Sequence, residues 1–168
     1  QIKKEVLEGA GRDYCASRGE YLAAQVMAKV LGFPFVDAVN LIRIKENGTL
    51  DEQSFDLAGE VLAEYPNAVI PGFYGVMPNG TIKTFSRGGS DITGSILAAA
   101  VCADVYENFT DVDSVYPCDP RIVEEVKQGE GIPTMTYREM RELAYAGFGV
   151  FADDAVIPAV RARIPINI

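Results

Sequence analysis

Two adjacent glycines followed by a helix-length run of small and apolar residues limit this chain more than anything else in it. They fall in Thr84-Phe85-Ser86-Arg87-Gly88-Gly89-Ser90-Asp91, which continues as Ile92-Thr93-Gly94-Ser95-Ile96-Leu97-Ala98-Ala99-Ala100-Val101-Cys102-Ala103-Asp104. The second part is apolar almost all round, the pattern of a helix buried on most sides. The fold must therefore wrap around it. Ser90 is a good N-cap, able to accept an amide of the first turn. Gly88 and Gly89 allow backbone amides to approach a ligand closely, and a helix start offers open amides and a favourable dipole to an anion. Arg87 adds a planar fork suited to a carboxylate or phosphate. Asp91 brings negative charge into a site that otherwise favours anions. That placement suits chemistry on a bound metal or substrate better than it suits stability. Taken alone, Arg-Gly-Gly-Ser-Asp could equally be an ordinary capped turn.

Around this run, helical and extended patterns alternate. Residues 2–9 read as a helix end stopping at Gly9-Ala10-Gly11. Ser17-Arg18-Gly19-Glu20 reads as the start of a long helix that ends at Gly32, with Leu22, Val26, Val30 and neighbouring alanines on its inner side. Ser17 and Glu20 fit a capping box; the alternative is that Glu20 faces the ammonium group of a ligand. Phe33 to Ala38 and Ala68 to Pro71 read as strands. The second runs into Gly72-Phe73-Tyr74-Gly75, and the carboxyl end of a strand is where open α/β sheets bind ligands. Asn47-Gly48 marks a hairpin, Asp51 to Glu64 an amphipathic helix, and residues 77–81 a tight turn. After the central helix, Val105 to Phe109 is a strand leading into Thr110-Asp111-Val112-Asp113, a magnesium or ribose site or else an acidic surface loop. Arg121 follows a rigid Pro117 to Pro120 loop and is free to meet phosphate. Thr136 to Glu139 is a second capping box, opening a helix that runs to Gly147. Val150-Phe151, a helix over Asp153 to Arg163, and Ile164 to Ile168 as a final strand complete the pattern. Strands alternating with helices predict a mostly parallel α/β sheet covered on both faces.

Composition removes several classes of function. The 168 residues carry a net charge of −9, which argues against nucleic acid or an anionic membrane as a partner. An enzyme with acidic substrates would have to offset that charge locally with arginines, helix termini and a divalent metal. Histidine is absent, which excludes Ser-His-Asp and Cys-His catalysis and histidine metal sites within this chain. Any metal would be a hard cation held by oxygen. Cys15, Cys102 and Cys118 are widely spaced and predict reduced thiols in a cytoplasmic protein. No apolar run is long enough to span a bilayer, and no signal-peptide pattern is present. The P-loop and the dinucleotide glycine fingerprint are both missing.

Several stretches taken together resemble aspartate kinases of the amino acid kinase family. They are Ser17 to Glu20, Pro71 to Gly75, Thr84 to Asp91, Thr110 to Asp113 with Tyr116, Asp119 to Arg121, and the helix bearing Tyr137, Glu139, Met140, Glu142 and Leu143. The resemblance implies a three-layer α/β/α sandwich, and transfer of the γ-phosphoryl group of ATP, with Mg²⁺, to the β-carboxylate of L-aspartate. That reaction is the first step toward lysine, threonine and methionine. By the same resemblance, Glu20 meets the substrate ammonium and Arg87 a substrate carboxylate. Phe73, Gly89 and Ser90 line the amino-acid pocket, and Asp91 sits near the reacting carboxylate. Thr110, Asp111, Tyr116 and Arg121 surround the nucleotide.

The chain also departs from the family pattern. The family's Lys-Phe-Gly-Gly stretch has no counterpart and is expected ahead of Gln1, and the regulatory domains are expected after Ile168. Residues 1–168 would then be the C-terminal part of a catalytic domain, carrying the amino-acid pocket and the nucleotide half. Gly149 and Ala152 stand where the family often has lysine and histidine. The expectation is a piece inactive by itself, which associates as a homo-oligomer or with the rest of its domain. Another amino acid or carbamate kinase, or a non-catalytic regulatory subunit, is the alternative.

Overall fold

The computed structural model describes residues 1–86, 88–109, 114–118, 122–123, 131–145 and 155–168. Helix α1 (Ile2–Leu7) is followed by the long α2 (Arg12–Leu31). A 3₁₀ turn spans Ala38–Asn40, and α3 covers Gln53–Leu62. Strands β1 (Tyr74–Val76) and β2 (Ile82–Thr84) precede the central helix α4 (Gly89–Ala100). Then come β3 (Tyr106–Glu107), α5 (Tyr137–Tyr145), α6 (Ile157–Arg161) and β4 (Ile166–Asn167).

The strands are short, and their pairing is of two kinds. β1 and β2 form an antiparallel hairpin with Tyr74 opposite Thr84 and Val76 opposite Ile82. It closes through the Met77 amide on the Thr81 carbonyl at 2.9 Å, as the Asn79-Gly80 turn predicts. β3 and β4 run parallel, Tyr106 opposite Ile166. Two further parallel bridges tie Phe35 to Val69 and Arg43 to Val76. The strands expected over 33–38 and 68–71 thus shrink to one bridge, because Asp37 turns the chain by accepting the Val39 amide and starting the 3₁₀ turn. The Asn47-Gly48 hairpin is present, with Ile44 bridged to Leu50.

The core gathers Leu41, Ile42, Ile44, Ala58, Tyr74 and Ile96, all essentially without exposed surface. α4 runs through it, as its apolar run predicts. On one side α3 comes so close that a Cβ at Gly59 would stand 3.0 Å from the Ala100 carbonyl oxygen. On the other side Ala98 packs with Ala159 and Ile164, and the Ala159 amide donates to Ser95 Oγ at 2.9 Å.

Helix α2 departs from expectation twice. It begins at Arg12 behind Gly11, so Ser17 and Glu20 lie inside it and form no capping box. Ser17 is buried, and its hydroxyl donates to the Tyr14 carbonyl at 2.7 Å. The buried face is Ser17, Arg18, Ala24 and Ala28, whereas Leu22, Val26 and Val30 are exposed at 47%, 63% and 73%. The alanines face inward as expected, and the larger residues expected beside them are left outside.

Candidate functional site

The second strand of the hairpin leads directly into α4, and the turn between them is set by backbone conformation. Gly88 adopts a left-handed φ of 62° and forms the N-cap, with no side chain capping the helix. Such a φ is natural for glycine and costly for other residues. Ser90 is therefore not the N-cap; it lies exposed within the first turn. That leaves first-turn amides of a twelve-residue helix available, the arrangement that favours an anion.

The loop before β1 lies against this turn. A Cβ at Gly72 would stand 3.1 Å from Ser90 Cα, and a Cβ at Gly89 would stand 2.7 Å from the Phe73 ring. Phe73 itself has φ of 83°, a strained conformation for a bulky side chain. Two hydrogen bonds hold its main chain, and a third braces Thr93, the partner of the first. The Phe73 amide donates to Thr93 Oγ at 3.0 Å, the Thr93 hydroxyl donates to the Gly89 carbonyl at 2.9 Å, and the Phe85 amide donates to the Phe73 carbonyl at 2.9 Å. Phe73, Gly89 and Ser90 are thus brought together. Thr93, buried and central to that linkage, is a residue the sequence reading passed over as one more position in an apolar run.

Asp91 stands one residue further along. Its Oδ1 accepts from Asn108 Nδ2 at 2.9 Å, and the same amide nitrogen donates to the Tyr106 hydroxyl oxygen at 3.0 Å. Asn108 is buried, and its backbone amide donates to the Asn167 carbonyl at 2.8 Å. The Tyr106 ring rests on Gly94, where a Cβ would be 2.4 Å from its hydroxyl oxygen. Burial holds the Tyr106 phenol above its usual range; the Asn108 hydrogen bond works against this and the Asp91 charge adds to it. Tyr106 and Asn108 therefore fix the direction of the Asp91 carboxylate. The one sequence signal for Asn108 is a polar residue inside an expected strand.

Glu20 lies exposed on α2 and makes no hydrogen bond or ion pair with the described residues. The helix carrying it is fastened to β2 by Asp13, whose Oδ2 accepts from Lys83 Nζ at 2.8 Å and whose Oδ1 accepts from the Thr84 hydroxyl at 3.0 Å. The Lys83 hydrogen bond is the main reason the Asp13 carboxyl sits below its usual range. Arg18 is seated between the Tyr14 and Tyr21 rings, 4.5 Å from each centroid, and 5.4 Å from that of Tyr74. Tyr74 donates to Asp37 at 2.7 Å, and burial first, then that bond, pushes its phenol well above the ordinary range.

Arg87, Thr110, Asp111 and Arg121 lie outside the described residues, as do Gly149 and Ala152. Tyr116 is half-buried. The carbonyl of its neighbour Val115 accepts the Ile132 amide at 2.7 Å. A cavity of about 530 Å³ opens beside this segment, lined by Val115, Tyr137, Met140 and Ile166 among others. Among the described residues, no three acidic or thiol side chains converge to hold a metal, and no helix is long and apolar enough to cross a membrane.

Comparison with known proteins puts a family beside this geometry. The model of the amino acid kinase family matches residues 1–168. Aspartokinase 3 of Bacillus subtilis (strain 168) is 60% identical over 100 residues, covering 60% of this chain and 21% of that protein. The crystal structure of Clostridium acetobutylicum aspartate kinase superposes with a TM-score of 0.87 at 46% identity, covering 99% of this chain and 37% of the other. E. coli aspartokinase III, solved in complex with aspartate and ADP, gives a TM-score of 0.80 at 28% identity over 92% of this chain and 36% of its own. The chain spans between 21% and 40% of the length of the curated relatives it matches.

Proposed function

The chain belongs to the amino acid kinase family, and we propose that it forms the amino-acid pocket and nucleotide half of an aspartate kinase catalytic domain. Its fold is the α/β fold of that family. The reaction proposed is transfer of the ATP γ-phosphoryl group to the β-carboxylate of L-aspartate. The observation that carries it is the junction at the start of α4. There the Phe73 loop, the uncapped first turn and a restrained Asp91 meet at one point.

In this reading the first-turn amides and Arg87 hold a carboxylate of the amino acid, Glu20 meets its ammonium, and Phe73 and Ser90 wall the pocket. The attacking β-carboxylate is already ionised near neutrality, so the reaction needs no general base. Phosphoryl transfer between such partners depends on positioning and on neutralising charge. Asp91, held in direction by Asn108, serves to place positive groups around the transferring phosphoryl. Thr110, Asp111, Tyr116 and Arg121 surround the nucleotide. A Mg²⁺ would arrive on the phosphates of ATP, keeping most of its oxygen ligands from phosphate and water. Asp111 is the protein ligand that the motif offers; when bound, the ion supplies positive charge at the phosphates. Three unpaired cysteines agree with a cytoplasmic enzyme, and the exposed apolar side of α2 agrees with association with a further chain or domain.

The test is a coupled assay of ADP formation by the full-length protein with ATP, Mg²⁺ and either L-aspartate or L-glutamate. Turnover with L-aspartate is expected. Turnover with L-glutamate alone would assign a different amino acid kinase, and nucleotide binding without turnover would assign a regulatory subunit.

A further inference from the structure

We infer that Asp13 is a positioning residue that sets the two halves of the amino-acid pocket against each other. The inference rests on the aspartate kinase reading. The proposed pocket is delivered by two elements distant in sequence: α2 carries Glu20, and β2 feeds the turn that begins α4. Asp13 is a polar tie between them. One carboxylate oxygen takes Lys83 Nζ at 2.8 Å and the other takes the Thr84 hydroxyl at 3.0 Å, across about seventy positions of chain.

The helix geometry gives this tie its reach. Asp13 and Glu20 are seven residues apart within α2, close to two full turns, so they share one face and lie about 10 Å apart along the axis. The face by which Asp13 grips β2 is therefore the face that presents Glu20. Thr84, at the other end of the tie, is the last residue of β2 and stands five residues before the first residue of α4. A two-point grip on consecutive side chains fixes β2 both in distance and in slide along α2, which a single bond would not. The pair is partly exposed, with Lys83 and Asp13 side chains 41% and 28% accessible. A surface ion pair of this kind contributes little to stability, so positional control is the role its geometry best fits.

The experiment compares wild type, Asp13→Ala and Asp13→Asn in the full-length protein. Asp13→Ala should raise KM for L-aspartate roughly tenfold, the scale on which a displaced binding group is felt. KM for ATP and the far-ultraviolet circular dichroism should stay unchanged, and Asp13→Asn should fall between the two. Hydrogen exchange at the Phe85 and Ile92 amides, which donate to the Phe73 and Gly88 carbonyls, should quicken in Asp13→Ala. An unchanged KM for L-aspartate, or equal rises in both KM values, would overturn the positioning role. Absence of L-aspartate turnover in wild type would instead overturn the functional reading. The exchange comparison then decides the tie by itself: unchanged exchange at Phe85 and Ile92 refutes it, and faster exchange sustains it.

Discussion

Adding one methyl group at Gly94 should disturb the Asp91 site from beneath. The Cβ of Gly94→Ala would stand 2.4 Å from the Tyr106 hydroxyl oxygen and 2.7 Å from its Cζ, well inside van der Waals contact. The ring belongs to β3, which is paired to β4, so it cannot retreat freely. Overpacking of this kind costs about 1–3 kcal/mol. Displacing the ring also strains the Asn108–Tyr106 hydrogen bond, worth about 1 kcal/mol. Alanine recovers about 1 kcal/mol over glycine in a helix interior. The net expectation is a loss of about 1–3 kcal/mol, or a fall in melting temperature of about 3–10 °C for a chain of this size. Thermal unfolding followed by circular dichroism measures it. Tyr106→Phe removes the nearest atom, so the double variant should recover part of the loss. Asn108 would keep Asp91 as its acceptor. A Gly94→Ala protein as stable as wild type would refute the packing described for α4, and additive single and double variants would refute the link through Tyr106.

If Arg87 holds a substrate carboxylate as proposed, Arg87→Lys should weaken L-aspartate binding although the charge is retained, because a bidentate grip would be lost; Arg87→Ala should leave ATP binding nearly intact, and titration calorimetry with each ligand separates the two. Stability should decline above pH 10. Tyr74 and Tyr106 keep their protons in the folded chain beyond the usual phenol range, whereas tyrosines of the unfolded chain ionise near 10, so rising pH draws the equilibrium toward the unfolded state. Melting temperature should fall from pH 9 to 11 and fall less steeply in Tyr74→Phe; parallel profiles would contradict the assignment.

Much of the chain could be read before its structure was known, where a local rule sufficed. The second capping box forms as predicted, with the Thr136 amide donating to the Glu139 carboxylate at 2.7 Å and the Glu139 amide to Thr136 Oγ at 3.3 Å. The Asn47-Gly48 and Asn79-Gly80 turns also form as expected, as does the burial of α4. The other capping pattern, Ser17 to Glu20, failed because a serine inside a helix can satisfy its hydroxyl on a preceding carbonyl, here Tyr14. Nothing within four residues distinguishes the two cases. Periodicity put Leu22, Val26 and Val30 inside with the alanines of α2, whereas only the alanine stripe is covered, and only tertiary contact decides which stripe that is. Motif order singled out Phe73, Gly89, Ser90 and Asp91, and the structure sets the first three side by side. The Asn108 and Thr93 bonds that hold that group join residues 17 and 20 positions apart, beyond the reach of a local pattern.

The left-handed backbone of Phe73 has a consequence for engineering. Glycine would relieve its strain of about 1–3 kcal/mol and keep both of its hydrogen bonds, which use only the main chain of residue 73. The phenyl ring now lying over Gly89 would be gone. Under the proposed function, heat resistance and substrate recognition would then pull in opposite directions at this one position. A library ranked only by survival at high temperature would drift toward glycine here, and its hardiest members would be the ones with an unwalled pocket.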